Sequence, residues 1–141
     1  MDLLFICRDA MENSIIANVA MALEAKRRGK DAAVLFTEEA LAGLAGSSLT
    51  WARLFQNRPS RIAISRGATE MGIPIASERD DRWTDVPRLL SHAREAGVRL
   101  LACPIWSEIL HIDGSLPDTI EGVSTDELMT AFESAQVIGS Y

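Results

Sequence analysis

The residues best placed to do chemistry lie within 97–106, Gly-Val-Arg-Leu-Leu-Ala-Cys-Pro-Ile-Trp, where a short apolar run passes straight into a proline-started helix with a cysteine at the joint. Proline pushes the residue before it towards extended geometry and is favoured at the first helical position, where no donor is lost. Cys103 is therefore expected as the helix cap and Pro104 as the first helical residue. A thiol at a helix start feels the partial positive charge of unpaired N–H groups, which favours the thiolate that performs nucleophilic and sulfur-transfer chemistry. Free cysteine is also among the most buried residue types, and simple packing is its ordinary role. In the helix that follows, Ile105 with Ile109 and Trp106 with Leu110 form pairs four apart, which predicts one apolar stripe facing inwards and an end near the turn pair Asp113-Gly114. A Trp106 ring over the thiol would limit access and raise the thiolate's desolvation cost, opposing the helix effect.

The other reactive types are sparse. Cys7 ends a fully apolar run with no cap directly after it, which suits burial. Arg8 adds a cation at that strand end. Cys7 and Arg8, with Pro104, Trp106 and Ser107 after the joint, are the candidates to support or line a site around Cys103. The turn after Cys7, Arg8-Asp9-Ala10-Met11-Glu12-Asn13, has no glycine with which to cradle a pyrophosphate. No phosphate-loop lysine or nucleophile-elbow serine occurs, and Lys26 and Lys30 sit beside a helix end, where they favour its C-terminus. His92 and His111 lack a metal-ligand spacing, and His111 falls roughly 10 Å along the helix from Cys103, so direct Cys/His catalysis is not expected. Trp51 and Trp83 read as buried or interface tryptophans. No cofactor or metal is implied.

The elements that must position Cys103 follow from periodicity. Leu3-Leu4-Phe5-Ile6-Cys7 has the continuous apolar pattern of a strand buried on both faces of a parallel sheet. Asp9 and Glu12 have capping-box spacing ahead of a helix carrying Ile15, Ile16, Val19, Ala20 and Leu23, which stops at Gly29. A second strand spans residues 32–36, and Thr37, Glu38 and Glu39 predict a short capped helix. Residues 43–83 carry glycines, serines and two prolines around Trp51, Leu54 and Phe55, and predict an irregular or partly helical insertion of functional or assembly use. Thr84 is expected to cap a helix with Val86, Leu89, Leu90, Ala93 and Ala96 inside and Gly97 at its end. Ser124 and Glu127 form a capping box for a helix through Leu128, Phe132 and Ala135, followed by a last strand over residues 136–138. Strands alternating with helices imply an α/β sandwich with a mainly parallel sheet, whose function collects at the carboxyl ends of the strands.

At 141 residues and 48% hydrophobic, the chain suits one domain that buries roughly two-thirds of its unfolded surface. Two cysteines far apart match neither a disulfide framework nor a zinc site, so a reducing, cytoplasmic setting is expected. Asp2 and the Arg8-Asp9 pair do not suit a signal peptide, and no run reaches the apolar length of a membrane span. Residues 51–99 hold nine arginines against six acids, whereas residues 100–141 hold seven acids and no Lys or Arg. The net charge of -6 argues against nucleic acid as partner. The arginine-rich middle is expected to be a solvated face with local ion pairs, with meeting an anion or an acidic surface as the other reading.

The run from Val86 through Leu89-Leu90, Ala93 and Ala96-Gly97-Val98-Arg99-Leu100-Leu101-Ala102-Cys103, then Ile120-Glu121-Gly122-Val123, Thr130-Ala131-Phe132, Ala135 and Val137-Ile138, resembles the DsrE/DsrF-like sulfur-relay family. The resemblance implies a single three-layer α/β/α domain over residues 1–141, with about five mainly parallel strands; it does not cover the insertion at 43–83. It also implies homo- or hetero-oligomers, commonly trimers or hexamers. The family's cysteine after the Gly-Val strand receives sulfane sulfur as a persulfide and passes it on; it falls on Cys103. The chain departs from the family at Pro104-Ile105-Trp106, where small or flexible residues are usual. The family's strand order leaves one strand between Cys7 and Cys103, a gap of roughly 9–10 Å. Direct bridging needs alpha carbons within about 7 Å, so no disulfide is expected. The expected function is a cytoplasmic sulfur carrier or sulfurtransferase with donor and acceptor proteins as partners. The alternatives are a catalytically silent oligomeric subunit for assembly or docking, and a small-ligand or nucleotide binder at the strand ends.

Overall fold

A computed structural model of the chain describes residues 1–112 and 114–139. Five strands, β1 (Leu3–Cys7), β2 (Ala32–Phe36), β3 (Arg99–Ala102), β4 (Glu121–Gly122) and β5 (Gln136–Gly139), form one all-parallel sheet in the order β4-β3-β2-β1-β5. Every residue of β2 is buried, as its unbroken run Ala-Ala-Val-Leu-Phe requires of a central strand covered on both faces. Helices cover both faces, giving the expected three-layer sandwich. Phe5, Cys7, Val34, Phe36 and Leu100 face α1 (Glu12–Arg27), α2 (Glu38–Gly46) and α4 (Val86–Glu95). Leu4, Ala33, Leu35 and Leu101 face Leu128 and Ala131 of α6 (Thr125–Ser134). β4 is two residues long and pairs with β3 through Leu101 with Glu121 and Ala102 with Gly122, with an exposed ion pair between Arg99 and Glu121 beside it.

Where local signals decide an element, the sequence expectation holds. α1 stops at Arg28 and Gly29, whose φ of +83° is the left-handed geometry that glycine adopts without strain. Gly97 ends α4 in the same way at φ +94°, and a Cβ there would meet Lys26 Cε at 2.8 Å. Ser124 accepts from the Glu127 N–H at 3.1 Å and starts α6 as its capping box predicts.

Three predicted caps are made differently. Asp9 does not cap α1; Met11 is its N-cap residue without a side-chain bond, and the Glu12 N–H instead donates to the Thr50 carbonyl at 2.7 Å. The Thr50 N–H donates to Ala10 O at 2.9 Å, so a returning backbone segment supplies what a carboxylate was expected to supply. Thr37 precedes α2 without a side-chain bond; the Ala40 N–H donates to the Arg8 carbonyl. Asp85, not Thr84, caps α4 by accepting from the Arg88 N–H at 3.2 Å, because the Thr84 hydroxyl is engaged with Glu12.

The insertion is more regular than its composition suggests. A single 3-10 turn, Arg53–Phe55, leads into α3 (Arg58–Glu70), which Asn57 caps by accepting from the Ser60 N–H and which carries Pro59 in its first turn. Only Ser65 and Ala68 of α3 are buried, too few to write an apolar stripe into the sequence. The Ser65 hydroxyl, itself fully buried, donates to Asp81 O at 2.8 Å and lies 3.2 Å from Trp83 O, holding the following loop to the helix. Ser65→Ala is expected to lose about 1–3 kcal/mol by leaving a carbonyl without its donor. Urea unfolding would show this as a lower midpoint at unchanged slope, and an unchanged midpoint would refute the role.

Candidate functional site

Cys103 is half sheet and half helix. Its N–H donates to Phe36 O at 3.0 Å, extending the β3–β2 pairing by one residue, and its carbonyl accepts the Ser107 N–H at 2.9 Å, the first bond of α5 (Pro104–Ile109). The strand-to-helix joint thus forms where Pro104 demands it. The side chain is 7% exposed and packs with Leu4, Leu35, Leu101 and Leu128, on the face that α6 covers. Trp106, half-buried, touches both cores and bridges them at the sheet's carboxyl edge.

The predicted inward stripe on α5 is reversed for two of its members. Ile105 and Ile109 are 53% and 57% exposed. A helix of six residues over the edge of the sheet turns one narrow face inward, and Trp106 occupies it. α5 ends at Ile109, ahead of the expected Asp113-Gly114 turn; His111 takes a left-handed φ of +51°, and Asp113 lies outside the described residues.

Cys7 lies one strand away and on the opposite face, since β2 separates β1 from β3. Both cysteines are free. Burial, and then the nearby Asp9 charge, push the Cys7 thiol up to about 12, against a weak 4.0 Å bond to the Asp9 carbonyl. Arg8 is exposed and pairs with Glu38 at 2.8 Å, at the start of α2. Pro104 and Ser107 line an open cleft of about 700 Å³ with Glu108, Asp118 and Ser124; Cys7, Arg8, Trp106 and the Cys103 side chain do not. His92 and His111 are exposed, and among the described residues no three His, Cys, Asp or Glu side chains gather as a metal site.

Neither a protein-family model nor a curated protein matches the chain. The site's geometry therefore carries the functional reading.

Sequence reasoning missed a second group. Glu12, read only as a capping residue, is partly buried, and its Oε1 accepts from the Thr84 hydroxyl at 3.0 Å across 72 positions of sequence. Burial raises its carboxyl above the usual range, opposed by the Thr84 bond, the Arg61 charge and the Trp51 indole. The indole N–H is close enough to influence the carboxyl yet completes no hydrogen bond. The Arg61 guanidinium lies 5.7 Å from the Trp51 ring centre and 5.6 Å from that of Trp83, and Arg58 and Arg82 flank Trp83 at 5.6 and 5.9 Å. No local pattern links Glu12 to residues 51–84; only the tertiary fold does.

The Cys7 geometry has a measurable consequence. Below pH 9 the thiol is protonated in both folded and unfolded chains; from 9.0, its ordinary value, towards about 12, only the unfolded chain releases the proton. Its contribution to stability is therefore whole below pH 9 and falls by about 1.4 kcal/mol per pH unit through that window. Urea titrations of wild type and Cys7→Ala at pH 8, 9, 10 and 11 should show this extra loss in the wild type alone. Parallel curves would show that Cys7 ionises freely in the folded chain.

Proposed function

We propose that the chain is a sulfur carrier in which Cys103 holds sulfane sulfur as a persulfide. The observation that carries this reading is the Cys103 joint, a thiol at the carboxyl end of a parallel strand and the cap position of a proline-started helix. The resemblance of residues 84–139 to the DsrE/DsrF-like pattern supports it, as does the three-layer parallel fold. Cys7, sealed in the core with its thiol held protonated, does not compete for the role.

In the loading step the Cys103 thiolate attacks the outer sulfur of a donor persulfide. A bond from Cys103 Sγ to that sulfur forms, the donor's sulfur–sulfur bond breaks, and the donor leaves as a thiolate. Delivery reverses the pattern: an acceptor thiolate takes the outer sulfur and Cys103 leaves as the thiolate. No net oxidant or reductant is required. Donor and acceptor are proteins that approach the α5 edge, and the chain works as a homo- or hetero-oligomer in the cytoplasm.

The 7% exposure of Cys103 beside Trp106 favours a second reading, a catalytically silent subunit whose exposed Ile105 and Ile109 serve assembly or docking. The carrier reading requires α5 to yield when a partner binds.

Mass spectrometry after incubation with a sulfane donor and a partner-sized protein persulfide separates the two. The carrier reading expects one added sulfur on the wild type and none on Cys103→Ser; no added sulfur on either supports the silent subunit. Trp106→Ala is expected to speed alkylation of Cys103 about tenfold or more by opening the thiol. An unchanged rate would show that the indole does not control access.

A further inference from the structure

A second cleft, of about 420 Å³, opens outside the carboxyl ends of the strands, between the starts of α1 and α4 and the end of α2. Its volume is in the range of small-molecule sites. Leu44, Leu49, Leu90 and the Trp83 side chain make its walls largely apolar, and its charged groups are two carboxylates, Glu12 and Asp85. No Lys, Arg or His lines it among the described residues.

The two carboxylates are not equivalent. Asp85 is engaged at the start of α4, where Oδ1 accepts the Arg88 N–H. Glu12 has one oxygen on the Thr84 hydroxyl and forms no ion pair among the described residues, because the Arg61 guanidinium is held over the tryptophan rings. A partly desolvated carboxylate that the Arg61 charge reaches only through space, with no contact ion pair and an incomplete set of donors, is a recognition element for a positively charged hydrogen-bond donor. The raised carboxyl of Glu12 agrees with that incomplete satisfaction. An anionic ligand would meet two like charges, and a metal ion would find two carboxylates beside Ser47, Ser77 and Thr84, with no group of three His, Cys, Asp or Glu side chains among the described residues.

We propose that this cleft binds a small organic ammonium compound, a primary amine on a compact apolar or aromatic body, with the ammonium on Glu12 and the body between Leu44, Leu49 and Trp83. The site is independent of Cys103 and of sulfur transfer.

Phenethylamine is a suitable probe, with the neutral 2-phenylethanol and the anionic 3-phenylpropionate as isosteric controls, measured by titration calorimetry and ligand-observed NMR on the full chain. Phenethylamine should bind saturably at one site and the two controls at least tenfold more weakly. Glu12→Gln keeps an acceptor for Thr84 but removes the charge, and should weaken phenethylamine binding roughly 10- to 100-fold. Leu49→Trp, which fills the cleft and leaves Glu12 intact, should abolish it. If Glu12→Gln fails to fold, the wild-type comparison of amine with alcohol and the Leu49→Trp result decide the matter. No saturable binding of phenethylamine, equal binding of the alcohol, or unchanged binding in Glu12→Gln or Leu49→Trp would each overturn the proposal.

Discussion

The two-residue alternation of the central parallel strands governs everything that the cysteines can do. Cys7 pairs with Phe36, and Phe36 pairs with Ala102, so these residues share one face; Cys103, one residue further along, falls on the other. Parity thus assigns Cys7 to the deep layer under α1, α2 and α4, and Cys103 to the layer that one helix, α6, covers. A register slip of one residue would exchange their surroundings, and the complete burial of β2 on both faces makes that slip expensive. The joint at Cys103 inherits its position from the same ladder, through the bond from its N–H to Phe36 O.

A second backbone contact organises the part of the chain that composition leaves obscure. Thr50 donates to Ala10 and accepts from Glu12, so the segment after α2 lies along the start of α1 and satisfies one of its donors. The Asn13 side chain accepts the Ala52 N–H at 2.9 Å and continues the attachment. From there Trp51 and Trp83 close over Arg61, Ser65 holds the loop that ends at Thr84, and Thr84 returns to Glu12. The carboxyl-end cleft exists because this circuit closes.

The division between what was readable and what was not follows the range of the interactions. β1, β2, the Gly29 and Gly97 stops, the Ser124 cap and the Cys103-Pro104 joint are each decided within a few residues, and periodicity or proline geometry reveals them. The start of α1, the engagement of the Thr84 hydroxyl away from α4 and the attachment of the 81–83 loop to α3 depend on Thr50, Glu12 and Ser65 acting over long sequence distances, where no local pattern exists. The same holds for the site. The place of Cys103 in the chain was legible; its burial was not, because it depends on Leu128 of α6 and on the choice of Trp106 over Ile105 and Ile109 as the inward residue of α5. The second cleft was invisible for the same reason, since Glu12 reads as a helix-start acid until Thr84 and Trp83 are brought beside it.

The arginine-rich middle shows how charge counts mislead when partners are unknown. Arg58, Arg61 and Arg82 gather around Trp83, Arg88 donates to Ala76 O and faces Glu78, Arg94 donates to Asp118 O, and Arg99 pairs with Glu121. These six make contacts within the chain, with aromatic faces and carbonyl groups as well as in the expected ion pairs, while the Arg61 Nε is buried without a hydrogen-bond partner among the described residues. Aromatic contacts of this kind let a guanidinium remain partly solvated and fully charged while its planar group packs on a neutral ring. The cleft beside them has Glu12 and Asp85 as its charged lining although the surrounding sequence is basic.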